Sequence, residues 1–447
     1  MKTPEKTKFS VLLTWYLLFI PLFLACPGAA QSSADAGKAA ARQTPDKPAG
    51  PCAAIAGQIG DCNDAGRRKR FCPLPRLQAL APGTAVDLGA YDCMTRQVDA
   101  DRFHCLTITD YSRFNYDPYH HRLLLFGGGH AATGETSVDV LDLTYNALRW
   151  RYLYPSMTCD EVAQGDLDPR GFHRKTGHPV ARHTYDMSVI AKVKGQPHLL
   201  LLSTQGGGGH CHPYHAAIQS VARLPLQGKA NHWRYGRDWG RRLPWYMAAA
   251  AEYDPVSGMV IVVGPNASAG EGGMWVYDPG ADEIIAFVPM KVLGRAEGIE
   301  NNLVYYPPTQ SMYLFEKGKK PSREGEPPSP VTVRQLVLNR KFWRLSTLKR
   351  IKASGAAPLQ ARQTGFAYNP DTGRFGGAVT DQTFYTFDPR NNRWQSFPIR
   401  LNSSVKAPLG DLAAAALDYD PVNKVYIFMA TRHKGLDKRV WAYRPMQ

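Results

Sequence analysis

Arg122-Leu123-Leu124-Leu125-Phe126-Gly127-Gly128-Gly129-His130 is a short aliphatic run that stops abruptly in three glycines and a histidine. An apolar run of that length ending in glycines reads as a buried strand entering a tight turn, not as a helix. A related string, Leu199 to Thr204 followed by Gly206-Gly207-Gly208-Gly209-His210, returns about eighty residues later. Two such junctions imply a repeated unit, with a histidine held at the same corner of each copy.

The copies share a frame: a short strand ending in Tyr-Asp-Pro or a variant, a turn, an aliphatic second strand, a third strand ending near Asp, and a fourth often marked by Trp. The first copy has Tyr111 to Pro118, Arg122 to Phe126, Val138 to Leu143 and Trp150 to Leu153. The second runs through Thr184 to Ile190, His198 to Ser203, Ala217 to Leu224 and Trp233. Copies three to six open on Tyr253-Asp254-Pro255, Tyr305-Tyr306-Pro307, Tyr368-Asn369-Pro370 and Tyr419-Asp420-Pro421, with Trp343 and Trp394 marking fourth strands in copies four and five. Four-strand units at such a period predict an all-β chain, a six- or seven-bladed β-propeller of four-stranded antiparallel blades. The sixth copy ends at Gln447 after its third strand, so its fourth must come from elsewhere; Thr84 to Leu88 is the spare, which predicts closure by an N-terminal strand.

The domain plan follows. Lys2, Lys6 and Lys8 precede the apolar run Val11 to Ala25, and Gly28-Ala29-Ala30 supplies small residues, so 1–30 reads as a secretory signal peptide cleaved near Ala30. A lipidated Cys26 is the lesser alternative, and fifteen residues fall short of the roughly 20 a span needs. Residues 31–50 read as a disordered linker, 51–105 as a cysteine-rich arm, and 106–447 as the propeller. The expected location is therefore secreted or periplasmic, with no membrane span after cleavage. Seven cysteines remain beyond Cys26, five of them between 52 and 105, so two bridges of open connectivity are expected in the arm. The odd total leaves one thiol free or bound to metal, with Cys211 the candidate.

The chain carries a net charge of +16, of which residues 1–30 contribute two, leaving +14. Outside the cytoplasm such a balance points to an anionic polysaccharide as partner and away from nucleic acid. In the frame, the loop after each second strand and the entry to each first strand open on one face. His130 and His210 would share that mouth with Arg113, Arg182, His183, Tyr185, Trp245, Tyr246, Arg295, Arg362 and Arg432. Arginines there suit carboxylates or sulfates, because the planar fork binds an oxyanion in two places; they could instead pair with acidic neighbours between blades. Arg182-His183-Thr184-Tyr185 is the sharpest cluster: a neutral imidazole (His130 or His183) as base, Tyr185 as acid and Arg182 against a carboxylate are the parts that β-elimination beside a uronate needs. His210-Cys211-His212 with His215 is a candidate zinc site.

The motifs Tyr116-Asp117-Pro118, Arg122 to His130, Val140-Leu141-Asp142-Leu143, Trp150 and Arg182-His183-Thr184-Tyr185 resemble kelch-type propellers of the galactose-oxidase-like class. The nearest resemblance is to the secreted bacterial group that includes ulvan-type polysaccharide lyases. That resemblance implies proton transfer by His130, His183 and Tyr185, Arg182 against the uronate, and a structural zinc at 210–215. It departs at Tyr111-Ser112-Arg113, where a further histidine is expected. The two tyrosines, two histidines and linked cysteine of a copper-radical oxidase find no convincing set. The expectation is a propeller acting on a uronate-containing polysaccharide, with a non-catalytic glycan- or protein-binding propeller as the alternative; oligomeric state is not readable.

Overall fold

A computed structural model describes residues 72–90 and 112–446, apart from 127–135, 145–147, 149, 158–160, 162–166, 205–217, 228–231, 241–242, 269, 297, 319–328, 360–364, 381, 403–408, 410 and 432–437. Cys72 is the only cysteine among them, so the pairing of the arm lies outside the described residues.

The described chain forms six four-stranded antiparallel blades. Blade 1 is Asn115–Asp117, Arg122–Phe126, Val138–Asp142 and Trp150–Tyr154. Blade 2 is Ser188–Val193, Gln196–Leu201, Ala222–Pro225 and Arg234–Tyr235. Blade 3 is Ala250–Asp254, Met259–Gly264, Gly273–Asp278 and Glu283–Pro289. Blade 4 is Asn302–Tyr306, Ser311–Glu316, Thr332–Val337 and Thr347–Arg350. Blade 5 is Phe366–Asn369, Arg374–Thr380, Thr383–Asp388 and Arg393–Pro398. Blade 6 is Asp411–Asp420, Val425–Thr431 and Lys438–Arg444, completed by the N-terminal strand Thr84–Ala90.

Closure occurs where the sequence requires it. Thr84–Ala90 pairs antiparallel with Lys438–Arg444, from Thr84 opposite Arg444 to Ala90 opposite Arg439. A register shift falls between Asp87 and Gly89, and Gly89 takes φ 114°, a value that only glycine adopts without strain. Arg439 grips Asp87 at 2.6 Å across this seam, and Arg444 bonds the Leu77 carbonyl at 2.6 Å. The stub Arg400–Leu401 pairs parallel with the same strand and covers its outer edge.

The core is not one mass but a layer at each junction between neighbouring blades. Leu124, Phe126, Leu199 and Leu201 fill the junction of blades 1 and 2, and Phe315, Phe366, Phe375 and Trp394 that of blades 4 and 5. Second strands are covered on both sides, which is why Arg122–Phe126 and Ser311–Glu316 are buried throughout and read as continuous apolar runs. Outer strands alternate, as in Glu283–Pro289, where every second residue faces solvent.

The Tyr-Asp-Pro signature has a local cause. Asp254 accepts from Val256 N–H and the Ser257 hydroxyl, and Asp420 from the N–H groups of Val422 and Asn423. Asn369 does the same for Asp371 and Thr372. The acidic or amide side chain thus closes the turn into the second strand, and proline pre-sets its first φ.

One expectation fails. Trp343 does not mark a fourth strand: it opens a short 3-10 turn, Trp343–Leu345, and the strand follows at Thr347–Arg350. Its half-buried ring packs against the core between blades 3 and 4, so the aromatic signal reported a packing contact and not a strand. Between blades 1 and 2 an insertion holds a hairpin of Leu167–Asp168 and Phe172–His173, with Phe172 stacked on Tyr235 at 3.8 Å.

Ala85 is fully buried in the layer between blades 5 and 6. Ala85→Glu would bury an unpaired carboxylate in the closing strand and is expected to cost about 3 kcal/mol or more. The measurement is a fall in denaturant midpoint together with faster amide exchange across Lys438–Arg444; exchange left unchanged there would mean that the ring does not depend on this strand.

Candidate functional site

First strands start where second strands end: Asn115 lies opposite Leu124, Ala250 opposite Val263 and Asn302 opposite Phe315. In blades 3 and 4 the start of the first strand therefore lies beside the end of the second. His130, Arg362 and Arg432 lie outside the described residues, as do His210, Cys211, His212 and His215. Among the described residues no group of three or more His, Cys, Asp or Glu could hold a metal ion.

The described candidates do not converge on an open site. Arg182 is 2% exposed, and its guanidinium donates to the carbonyls of Val180, Ser203 and Gly171. Burial pulls its pKa down to about 10. The side chain thus ties the insertion to blade 2 and does not present its fork to solvent. Trp245 is fully buried, donating to the Leu202 carbonyl at 2.7 Å and packing on Trp275 and Tyr277. Tyr246 is half-buried and Arg295 exposed. His183 and Tyr185 do meet, ring centroids 5.8 Å apart, but Tyr185 is buried and neither lines the axial cavity.

Tyr185 instead has φ 46°, a left-handed value costly for a bulky residue. Its turn delivers Asp186 to the axis. There the Asp186 carboxylate accepts from Arg113 at 3.1 Å, Asn302 Nδ2 at 2.7 Å and Leu303 N–H at 2.7 Å. Arg113 also reaches Glu252 at 2.9 Å and the Ala251 carbonyl at 3.1 Å. For Arg113 the pairing between blades is what the structure adopts.

Ionisation follows from that packing. Burial pushes the Asp186 carboxyl up to about 7, against the pull of Arg113 and the bonds from Leu303 and Asn302. Burial also pushes Asp418 up to about 6. The Arg113 guanidinium stays above its ordinary value: burial opposes the charge, but Asp186, Glu252 and Asp418 together outweigh it.

This cluster is the floor of an axial cavity of about 400 Å³, to which the first strands of all six blades contribute. Five blades place a tyrosine at one register, the residue before the last of the first strand: Tyr116, Tyr253, Tyr305, Tyr368 and Tyr419. Blade 2 places Lys192 there, exposed and without an ion pair among the described residues. Burial raises the pKa of Tyr253 to about 12 and also raises those of Tyr305 and Tyr419, so these hydroxyls stay protonated. Tyr116 and Tyr419 are fixed by bonds to His121 Nδ1 at 2.9 Å and Asp371 at 2.7 Å. Sequence reasoning met these tyrosines as punctuation of the frame; the departure of one copy from the pattern, Lys192 for Tyr, was the available signal.

Arg113→Ala strands Asp186 and Glu252 without their cation, and breaking a buried pair this way is expected to cost about 3–5 kcal/mol in denaturant unfolding. The Asp186 carboxyl moves from 3.8 unfolded to about 7 folded, so the folded state holds the extra proton between those values. Its contribution is full below the lower value and lost as pH rises through the upper one. The stability gap between the parent and Asp186→Asn should accordingly be wider at pH 5 than at pH 8; a gap that widens with pH contradicts this protonation.

No family model and no curated protein matches the chain. Similar solved structures include Kuenenia stuttgartiensis hydrazine synthase, at 10% identity and TM-score 0.43 over 78% of this chain and 98% of that one. The WD40 domain of Neurospora crassa Pan2 is similar at 11% identity and TM-score 0.42, over 82% of this chain and 98% of that one. The β-propeller domain of Myceliophteria thermophila Cps50 (Swd1) follows at 10% and 0.39, over 75% and 83%. Likeness at this level assigns neither kelch membership nor lyase activity, and the architecture stands on the chain's own sheets: a six-bladed, all-β propeller.

Proposed function

We propose that the protein is a non-catalytic, carbohydrate-binding propeller of the secreted or periplasmic space, which takes an acidic sugar unit into the tyrosine-lined axial cavity. The observation that carries this reading is the ring of five tyrosines and one lysine at a single register around a cavity of about 400 Å³. That size suits a small ligand or a chain end. Tyrosine offers a rigid apolar face for sugar C–H groups and a hydroxyl for their oxygens. Lys192 supplies the one ammonium of the ring, a point charge for a uronate carboxylate.

Proton-transfer chemistry is the weaker reading. Phenols held protonated by burial serve as donors and not as bases. The arginine that elimination would need at the carboxylate, Arg182, is occupied by main-chain carbonyls.

Calorimetry with uronate oligosaccharides tests the proposal. Tyr305→Ala is expected to weaken binding about tenfold, roughly 1.4 kcal/mol, while Lys192→Gln weakens acidic but not neutral oligosaccharides. Affinity unchanged in both variants would sink the cavity as the site, and an ultraviolet-absorbing unsaturated product would replace binding with lyase action.

A further inference from the structure

Eight large apolar side chains stand exposed among the described residues, and six come from two segments: Ile285, Phe287, Val292, Val337, Phe342 and Leu345. The outer strand Glu283–Pro289, the short helix Met290–Leu293 and the turn Trp343–Leu345 pack against one another, so these segments form one surface on the rim of blades 3 and 4. Val292 is 55% and Leu345 61% exposed. A patch of this kind on a soluble face marks an interaction surface.

On the blade 3 side its acids are paired, Glu283 with Arg237 and Glu271 with Lys291, while the blade 4 side carries one sign of charge. Residues 337–352 hold six Lys or Arg and no acid. Arg340 turns inward onto Asp254 at 2.7 Å. Lys341, Arg344, Lys349, Arg350 and Lys352 are exposed and form no ion pair among the described residues. Lys341 Nζ lies 5.5 Å from the Phe342 ring centroid, so the cation and the apolar tip stand side by side.

We propose that this rim docks on an anionic lipid surface, with Phe342 and Leu345 entering the headgroup region and the surrounding Lys and Arg meeting lipid phosphates. Clustered cations draw a protein to such a surface, and apolar side chains among them hold it there. A second copy of the chain would bring like charges together. A nucleic acid would use the cations but leave Leu345 and Val292 without a partner. The proposal is independent of the axial cavity, which lies among the first strands, whereas this surface lies on outer ones.

Flotation of the full chain with phosphatidylcholine vesicles, with and without phosphatidylglycerol, tests it. Binding is expected only with the anionic lipid, weakened about tenfold in Phe342→Ser/Leu345→Ser and in Lys341→Gln/Arg344→Gln. Quenching of Trp343 by lipids brominated on the acyl chain locates the contact, because it should diminish in Trp343→Phe even if the apolar run Val11 to Ala25 also reaches the vesicle. Val292→Ser reads the same surface should the Phe342/Leu345 pair fail to fold. The proposal is overturned if quenching is equal in the parent and Trp343→Phe, if the apolar variants bind vesicles as the parent does, or if the basic variant loses DNA binding and keeps vesicle binding.

Discussion

The ring is held at its axis by a network of polar contacts centred on Arg113 against Asp186. Asp186 belongs to the entry of blade 2, Arg113 to that of blade 1, and Arg113 continues to Glu252 and the Ala251 carbonyl of blade 3. From Asp186 the bonds pass to Leu303 and Asn302 of blade 4, and Asn302 accepts from Phe366 N–H of blade 5. Asp418 of blade 6 returns to Tyr116 N–H of blade 1 at 2.7 Å. Every inner strand is thereby tied to another through polar groups shielded from water, where an unpaired group is costly and a paired one specifies position.

That network explains why the ring needs its N-terminal strand. Six junctions filled with apolar side chains press neighbouring blades together but do not decide where the ring closes. The axial bonds set the inner radius, while Thr84–Ala90 supplies the outer strand that blade 6 lacks. The N-terminal segment meets blade 6 there: Asp87 pairs with Arg439, and the Leu74 backbone N–H donates to Asn423 Oδ1 at 2.6 Å. The closing strand is thus held by its ladder, by an ion pair and by a short N-terminal segment docked on blade 6.

The fold was legible because its signals are local. Apolar runs such as Arg122–Phe126 and turns closed by Asp254, Asn369 or Asp420 state strand and turn without reference to the rest of the chain. The site was not legible, because which way a polar residue faces is a tertiary fact. Arg182 and Arg113 look alike in sequence, each at the entry to a first strand, yet one is taken up by carbonyls and the other pins the axis. Asp186 was hidden behind a residue in a left-handed conformation that no β-strand pattern anticipates. Trp343 misled for a related reason: its half-buried ring packs on the core from a turn.

The axial ring also shows how repetition and departure divide the work. Five tyrosines at one register are what a six-fold frame produces from a repeated Tyr-Asp-Pro turn, and by themselves they make a nearly symmetric collar. A symmetric collar gives a ligand apolar contact but no preferred rotation about the axis. Lys192 removes that degeneracy with a single charge on blade 2, and the Arg113 cluster adds a floor of charged groups. A ligand bearing one acidic group would then have a defined azimuth from the lysine and a defined depth from the floor. The orientation comes from the one blade that does not obey the repeat.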